Sequence, residues 1–421
     1  MRKIFLLSVF ILLFVVGCGN QIQTVPPLPL ALPAESTAPE KVDTDIYFDA
    51  TVSMKGYTTL AADNVYVTLP DLLGDLCGSM GTAKFYGFGE MIHPLEGRSY
   101  RQFTSPEVYT EAITAVANVI DAADTNHLSI IVTDLFESDS DWSNVTQKLR
   151  DKFFANKLAV AVIGIKNPFH GEIFDVGFSA AKFLYNSADN PNRYRPFYLL
   201  VMGRDDVVKN FLRQFNTRQI LPNDTGYLLL SENLTETAAD FSNFTLEEQE
   251  NFYFDEALNL DKRVREFGID DFNSPASFIF SWKYEPPLGA CPLDLSQVDT
   301  FVETFSANGE EWTPVPETDL TVKLMKIDKR PENLFVKVAL TPLKSLNEGK
   351  LNFIRVKVMP TALGYQLPAW VELWSVNVDG AIGKFDGSKT VNLTRILSSL
   401  KDSVFMASRP SLMNINFLVK P

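Results

Sequence analysis

Asp45-Ile46-Tyr47-Phe48-Asp49-Ala50-Thr51-Val52-Ser53-Met54 decides how this chain is read. Its apolar start has the length and β-branched and aromatic content of a short buried strand. A carboxylate and two hydroxyls then recur at alternate positions, Asp49, Thr51 and Ser53, at the carboxyl end of that strand. Ala83 to Gly87 reads as a second strand. Thr104-Ser105-Pro106-Glu107 is a helix start signal, with a hydroxyl N-cap, Pro in the first turn and an acid to meet the dipole. It predicts a helix over Pro106 to Asp121, with Val108, Ile113, Val116 and Ile120 on one face. Leu128-Ser129-Ile130-Ile131-Val132 is a near-continuous apolar run of the kind buried in parallel sheets, and it ends in Thr133-Asp134. A helix, Trp142 to Phe154, and a strand, Leu158 to Ile165, follow. Strands alternating with helices predict an α/β doubly wound, Rossmann-like sheet, whose ligands bind beyond the carboxyl ends of the strands. Asp49 and Asp134 both fall at that edge.

This order of elements and motifs, D-x-T-x-S-M after the first strand and I-I-V-T-D at the later one, resembles the von Willebrand factor A-type (vWA) domain. The resemblance is good over about Lys41 to Lys166 and extends more weakly to Gln219. It implies a metal-ion-dependent adhesion site formed by Asp49, Thr51, Ser53, a loop Thr and Asp134. Thr104 fits the loop position and is preferred for the fourth ligand, whereas Thr110 fits the family's spacing to the next helix. Hard oxygen donors suit Mg²⁺ or Mn²⁺. The resemblance further implies that an acidic side chain of a protein partner completes the coordination. Several positions depart from the family. Thr51 stands for the usual Ser, Val52 for a small residue and Leu135 for the Gly after T-D, while Lys55 adds a cation nearby. These departures leave open a degenerate site that merely packs.

Other chemical readings are weaker. Glu137-Ser138-Asp139-Ser140-Asp141 alternates oxygen ligands that could take Ca²⁺, but it lacks the Gly and distal Glu of an EF-hand loop and reads as a solvated run. His93, His127 and His170 have no ligand spacing. There is no G-x-S-x-G elbow and no G-x-x-x-x-G-K phosphate loop. A metal-dependent hydrolase would have no nucleophile or base beyond the same carboxylates, so no enzymatic activity is expected.

Arg2 and Lys3 precede an apolar run, Ile4 to Val16, that is shorter than the about 20 residues of a membrane span and fits a secretory signal. Val15-Val16-Gly17-Cys18 resembles a bacterial lipobox, which implies lipid attachment at Cys18; an uncleaved anchor or an ordinary signal is the alternative. Residues 1–17 are thus read as a lipoprotein signal peptide and 18–42 as a Pro-rich tether, with Pro26, Pro27, Pro29, Pro33 and Pro39 favouring extended chain. Gly19 after Cys18 lacks the Asp-type retention signal, so sorting to an outer membrane is expected if the cell has one.

The body is acidic, with 52 Asp and Glu against 38 Lys and Arg and a net charge of −14, which argues against nucleic acid as a partner. At 421 residues and 46% hydrophobic content it has material for two or three domains and excludes a disordered chain. Three cysteines and three histidines argue against a Cys/His zinc site. Cys77 and Cys291 are read as buried free thiols, with a bridge as the alternative.

The vWA-like α/β domain is assigned 43–219. Within it, Asn167 to Arg195 reads as an insertion, ahead of a strand, Pro196 to Gly203, and a helix, Val207 to Phe215. Residues 220–275 read as a partly helical connector with little core. Beyond it, 276–421 is expected to form a mainly β, sandwich-like domain. Its strand candidates are Phe278 to Tyr284, Leu320 to Ile327, Leu334 to Leu340, Asn352 to Met359, Trp370 to Val376 and Ile415 to Val419, with one helix at Leu393 to Leu400. Asn347-Glu348-Gly349, Asp379-Gly380 and Asp386-Gly387 mark turns. Trp370 and Trp374 are candidates for an exposed contact surface. The expectation for the whole is a lipid-anchored protein of the cell envelope that binds a protein partner through a divalent cation. The alternative is a metal-independent structural component of an envelope complex.

Overall fold

Strands buried on both faces set the centre of the fold. The computed structural model describes residues 41–420 except 60–62, 136–138, 175–181, 220, 223, 237–238, 256–261, 272, 307–310, 317–318, 327–332, 341–350 and 377–385. The signal peptide, Cys18 and the tether therefore lie outside the described residues. So do Glu137 and the turns at Asn347 to Gly349 and Asp379-Gly380.

The first sheet takes β1 (Thr44–Asp49), β2 (Ala83–Phe88), β3 (Ile92–Leu95), β4 (Leu128–Thr133) and β5 (Ala159–Asn167). A side hairpin of β6 (His170–Phe174) and β7 (Lys182–Asn186) follows. The chain then returns through β8 (Arg195–Gly203) and β9 (Gly226–Leu230). The sheet order is β3-β2-β1-β4-β8-β5-β9. Every residue of β1, β4 and β8 is buried, as their apolar sequences require of central strands.

The expected doubly wound parallel sheet is not what forms. Only β2, β1 and β4 run parallel as neighbours. β3 is antiparallel to β2, β8 is antiparallel to both β4 and β5, and β9 is antiparallel to β5. The cause lies after β5. A parallel neighbour needs a crossover long enough to carry the chain back along the sheet, usually a helix. Here the β6–β7 hairpin stands in that connection, so β8 comes back antiparallel and fits between β4 and β5.

Helices still cover both faces. α1 (Leu69–Met80) and α4 (Asp205–Asn216) bury Leu69, Leu73, Leu76, Phe211 and Phe215 against one face. α2 (Val116–Ala122) and α3 (Asp139–Lys152) cover the other. That second layer is completed from the far end of the sequence. α5 (Ala369–Leu373) is followed by Trp374, and α6 (Leu393–Ala407) packs against α3 and buries Leu393, Leu397, Leu400 and Val404 in the same core. Trp370 and Trp374, expected as a strand-borne contact surface, lie instead against this sheet. Trp374 is only 5% exposed. Their rings occupy the space where a side chain at Gly226 or Gly164 would begin, at 2.6 and 2.7 Å from the position of a Cβ.

The remaining strands are β10 (Thr245–Glu250), β11 (Phe252–Phe254), β12 (Val264–Ile269), β13 (Ala276–Lys283), β14 (Val298–Ser306) and β15 (Glu311–Pro314). They continue with β16 (Leu320–Lys326), β17 (Asn333–Leu340), β18 (Asn352–Pro360), the short β19 (Ser375–Val376) and β20 (Thr390–Val391), and β21 (Met413–Lys420). Among the described residues they form sheets ordered β10-β13-β17-β16 and β11-β12-β21-β18-β14-β15, besides a β19-β20 pair. The two larger sheets share one core built on Phe252, Phe267, Phe278, Phe280, Val356 and Phe417. The stretch 220–275, read as a partly helical connector, instead supplies β9 to β12 and helps to build that core. The described residues are strand-rich and mostly antiparallel, and they form one compact unit.

Candidate metal centre

The site begins where β1 runs out of sheet. Ala50 still donates to the Phe88 carbonyl at 2.8 Å. Asp49 then turns its carboxylate onto the chain that follows. Oδ1 accepts the Thr51 backbone N–H at 2.9 Å and the Thr51 hydroxyl at 2.6 Å. Thr51 Oγ1 lies 3.1 Å from Ser53 Oγ, and the chain enters a short 3₁₀ turn, Val52–Thr58. The spacing of two brings these hydroxyls together because the backbone at Thr51 is still extended, with ψ 157°, before it coils.

The neighbouring strand contributes the rest. β4 pairs with β1 in parallel register, so its last residue, Thr133, reaches Asp49 from the side. The Thr133 hydroxyl donates to Asp49 Oδ2 at 2.9 Å and accepts the Leu135 N–H at 3.3 Å. Asp134 follows, 2% exposed. Leu135, at the position where the family resemblance has Gly, adopts φ 57°. Left-handed backbone costs a residue with a Cβ about 1–2 kcal/mol, so the turn keeps its shape against the preference of Leu. Burial of Leu135 and a hydrogen bond from Trp142 Nε1 to its carbonyl, at 3.3 Å, hold it there.

Thr104 does not join the cluster; its hydroxyl donates to the Arg101 carbonyl at 2.8 Å. Thr110 is exposed. Thr114 arrives instead, with Oγ1 at 3.4 Å from Asp49 Oδ2 and 3.2 Å from Thr51 Oγ1. The reason is the fate of the expected helix. The start signal at Pro106 yields only a single turn, Pro106–Val108, and the helix proper begins at Val116. Buried Tyr109 donates to the Phe103 carbonyl and meets the Tyr66 hydroxyl. Glu111 then pairs through its backbone with Ala50 and Val52. These contacts draw residues 109–114 out as extended chain along the end of β1 and leave Ile113, expected on a core face, 56% exposed. Thr114 and Thr133 are the participants that sequence reading missed. Thr133 stood beside Asp134 in plain view, and Thr114 becomes the loop Thr only once the helix is known to start late.

Electrostatics make the cluster costly without a cation. Asp49 is fully buried, and burial, reinforced by the charge of Asp134, lifts its pKa to about 7 against the pull of the Thr51 and Thr133 hydrogen bonds. Lys55 is exposed. Asp139 and Asp141 fall at the start of α3, so the alternating run that suggested Ca²⁺ enters a helix. Among the described residues no group of three or more His, Cys, Asp or Glu is placed to hold a metal, and the cluster at Asp49 offers two carboxylates and otherwise hydroxyls.

A buried cation lies at the start of β8. Arg195 is 2% exposed and donates through Nη1 to the carbonyls of Gly387 and Lys389 at 3.1 and 3.2 Å. Tyr198 meets Thr390 at 2.7 Å, and Tyr57 donates to the Pro196 carbonyl at 2.6 Å. The 386–392 segment is thus fastened to the same sheet edge that carries Asp49 and Asp134.

Cys77 and Cys291 are free and buried, each thiol pushed up to about 12 by burial. Of the three histidines, His127 pairs with Asp45 at 2.7 Å on the opposite edge of the sheet. Among the described residues no helix is long and apolar enough to cross a membrane. No protein-family model matches the chain, and no curated protein matches it.

Proposed function

We propose that this chain is a lipid-anchored protein of the cell envelope that binds a protein partner through a divalent cation, Mg²⁺ or Mn²⁺, held by Asp49, Thr51, Ser53, Thr114 and Asp134. The observation that carries this reading is the meeting of two buried carboxylates, Asp49 and Asp134, amid hydroxyls at one sheet edge. Such an all-oxygen donor set suits a hard cation. The ion would supply a positive centre with open coordination. Asp49 and Asp134 would neutralise part of its charge and the hydroxyls would orient it, leaving room for an acidic side chain of the partner. The resemblance of D-x-T-x-S and T-D to the vWA adhesion motifs supports the same assignment. The lipid anchor at Cys18 and the envelope location rest on the sequence alone.

One observation favours the alternative, a metal-independent structural component. The hydroxyls of Thr51 and Thr133 already satisfy Asp49, and a carboxyl with a pKa near 7 is partly protonated at neutral pH. Thermal unfolding of the full-length protein in EDTA and in millimolar Mg²⁺, Mn²⁺ or Ca²⁺ separates the two readings. The first expects a cation-specific rise in Tm that Asp49→Ala abolishes; identical curves refute it. Pull-downs with and without the active cation then test for a partner.

A further inference from the structure

A cavity of about 320 Å³ opens beside the core that the two larger sheets share, lined by Phe241, Phe244, Phe254, Phe267, Phe280 and Arg265, among others. That size falls at the lower end of small-ligand sites, about 300–1,000 Å³. None of its lining residues belongs to the cation cluster.

The walls come from both sheets. Phe280 of β13 stacks on Phe244, with ring centroids 4.4 Å apart and planes 18° from parallel. Phe254 of β11 stacks on Phe267 of β12, at 5.2 Å and 28°. Phe241 bridges the two stacks, 5.4 Å from Phe280 and 6.1 Å from Phe267, and is tilted to them by 58° and 66°. Phe241, Phe267 and Phe280 are buried and form the floor. Phe254 is 41% exposed and Phe244 is half-buried, so these two stand at the mouth. Such walls favour a ring, which meets them stacked or edge-on.

Arg265 gives the cavity its charge; among the described residues it is the only charged member of the lining. Side chains alternate along a strand, so Arg265 shares the face of Phe267 on β12. Its register partner on β21 is Phe417, a member of the same core. The guanidinium carbon lies over the Phe254 ring, 5.8 Å from its centroid, and that ring is itself a wall of the cavity. Glu266 and Asp255, which follow Arg265 and Phe254, alternate to the outer face, where Lys420 pairs with them at 2.9 and 3.0 Å. The guanidinium has five donors in a planar fork, enough to keep a protein partner and still grip a carboxylate.

We propose that this cavity binds a small planar aromatic acid, with its ring between the phenylalanine stacks and its carboxylate on Arg265.

Isothermal titration of the full-length protein with indole-3-acetate tests this. The titration is run in EDTA, which keeps the carboxylate from any cation at Asp49. Indole-3-acetamide keeps the ring and loses the charge, and hexanoate keeps the charge and loses the ring. Saturable binding of indole-3-acetate is expected, at least about tenfold tighter than of either analogue. Arg265→Gln should weaken binding of the acid by about tenfold or more and leave the amide unchanged, and Phe254→Ala should weaken both ring compounds. Melting curves without ligand should match wild type and show that the variants fold, and the comparison of the acid with the amide and with hexanoate needs wild type alone. No binding of indole-3-acetate at about 10 mM overturns the proposal. So does the amide or hexanoate binding as tightly as the acid, or a folded Arg265→Gln that binds the acid like wild type.

Discussion

Replacing Asp49 by Asn removes a charge while keeping size and hydrogen-bonding shape, and its effect should depend on pH in a defined way. An unfolded Asp ionises near 4, whereas in the folded protein burial and Asp134 hold Asp49 at about 7. Below about pH 4 both states are protonated and the group contributes nothing. Between pH 4 and 7 only the unfolded chain releases the proton, so stability falls as pH rises. Above about pH 7 the whole penalty is present. At roughly 1.4 kcal/mol per unit it comes to about 4 kcal/mol. Asn cannot ionise and escapes it. In EDTA, Asp49→Asn should therefore match wild type near pH 3 and exceed it by up to about 4 kcal/mol at pH 8. Chemical denaturation at several pH values reads the difference, and other carboxylates cancel because both proteins carry them. A saturating divalent cation should return much of the deficit to wild type, about 2.7 kcal/mol at a hundredfold excess over Kd, and nothing to the variant. Parallel pH profiles for the two proteins would refute the reasoning, because they would mean that no buried carboxylate at Asp49 is held against Asp134.

Three further outcomes are expected. Thr114→Val should weaken cation affinity on the order of tenfold, the loss of one hydroxyl contact, while Thr104→Val leaves it unchanged; titrations followed by Tm measure both. Leu400→Ala in α6 should destabilise the protein by about 2–5 kcal/mol, since that buried side chain packs in the core of the first sheet; loss of less than 1 kcal/mol on denaturation would place α6 elsewhere. Cys77 and Cys291 should resist a thiol reagent at pH 8 in the native protein and react fully in denaturant, as burial holds each thiol up at about 12.

The sequence by itself determined the strands that are apolar along their whole length. Ile46 to Phe48, Leu128 to Val132 and Pro196 to Gly203 are read correctly because burial on both faces leaves a continuous apolar signature that no loop imitates. It also located Asp49, Thr51 and Ser53, because contacts two residues apart are fixed by local backbone alone. Strand direction was not legible. Whether β8 runs parallel or antiparallel depends on the path of its connection, and the 167–195 insertion read only as an interruption. Thr114 was hidden for a related reason. The Pro106 start signal is a local preference of a few tenths to one kcal/mol, and Tyr109 and Glu111 override it through contacts with Tyr66, Phe103 and the end of β1. The second helical layer was beyond any local signal. α6 covers a sheet whose first strand lies more than three hundred residues earlier, and its apolar stripe records only that it is buried. Tertiary packing alone decided against what.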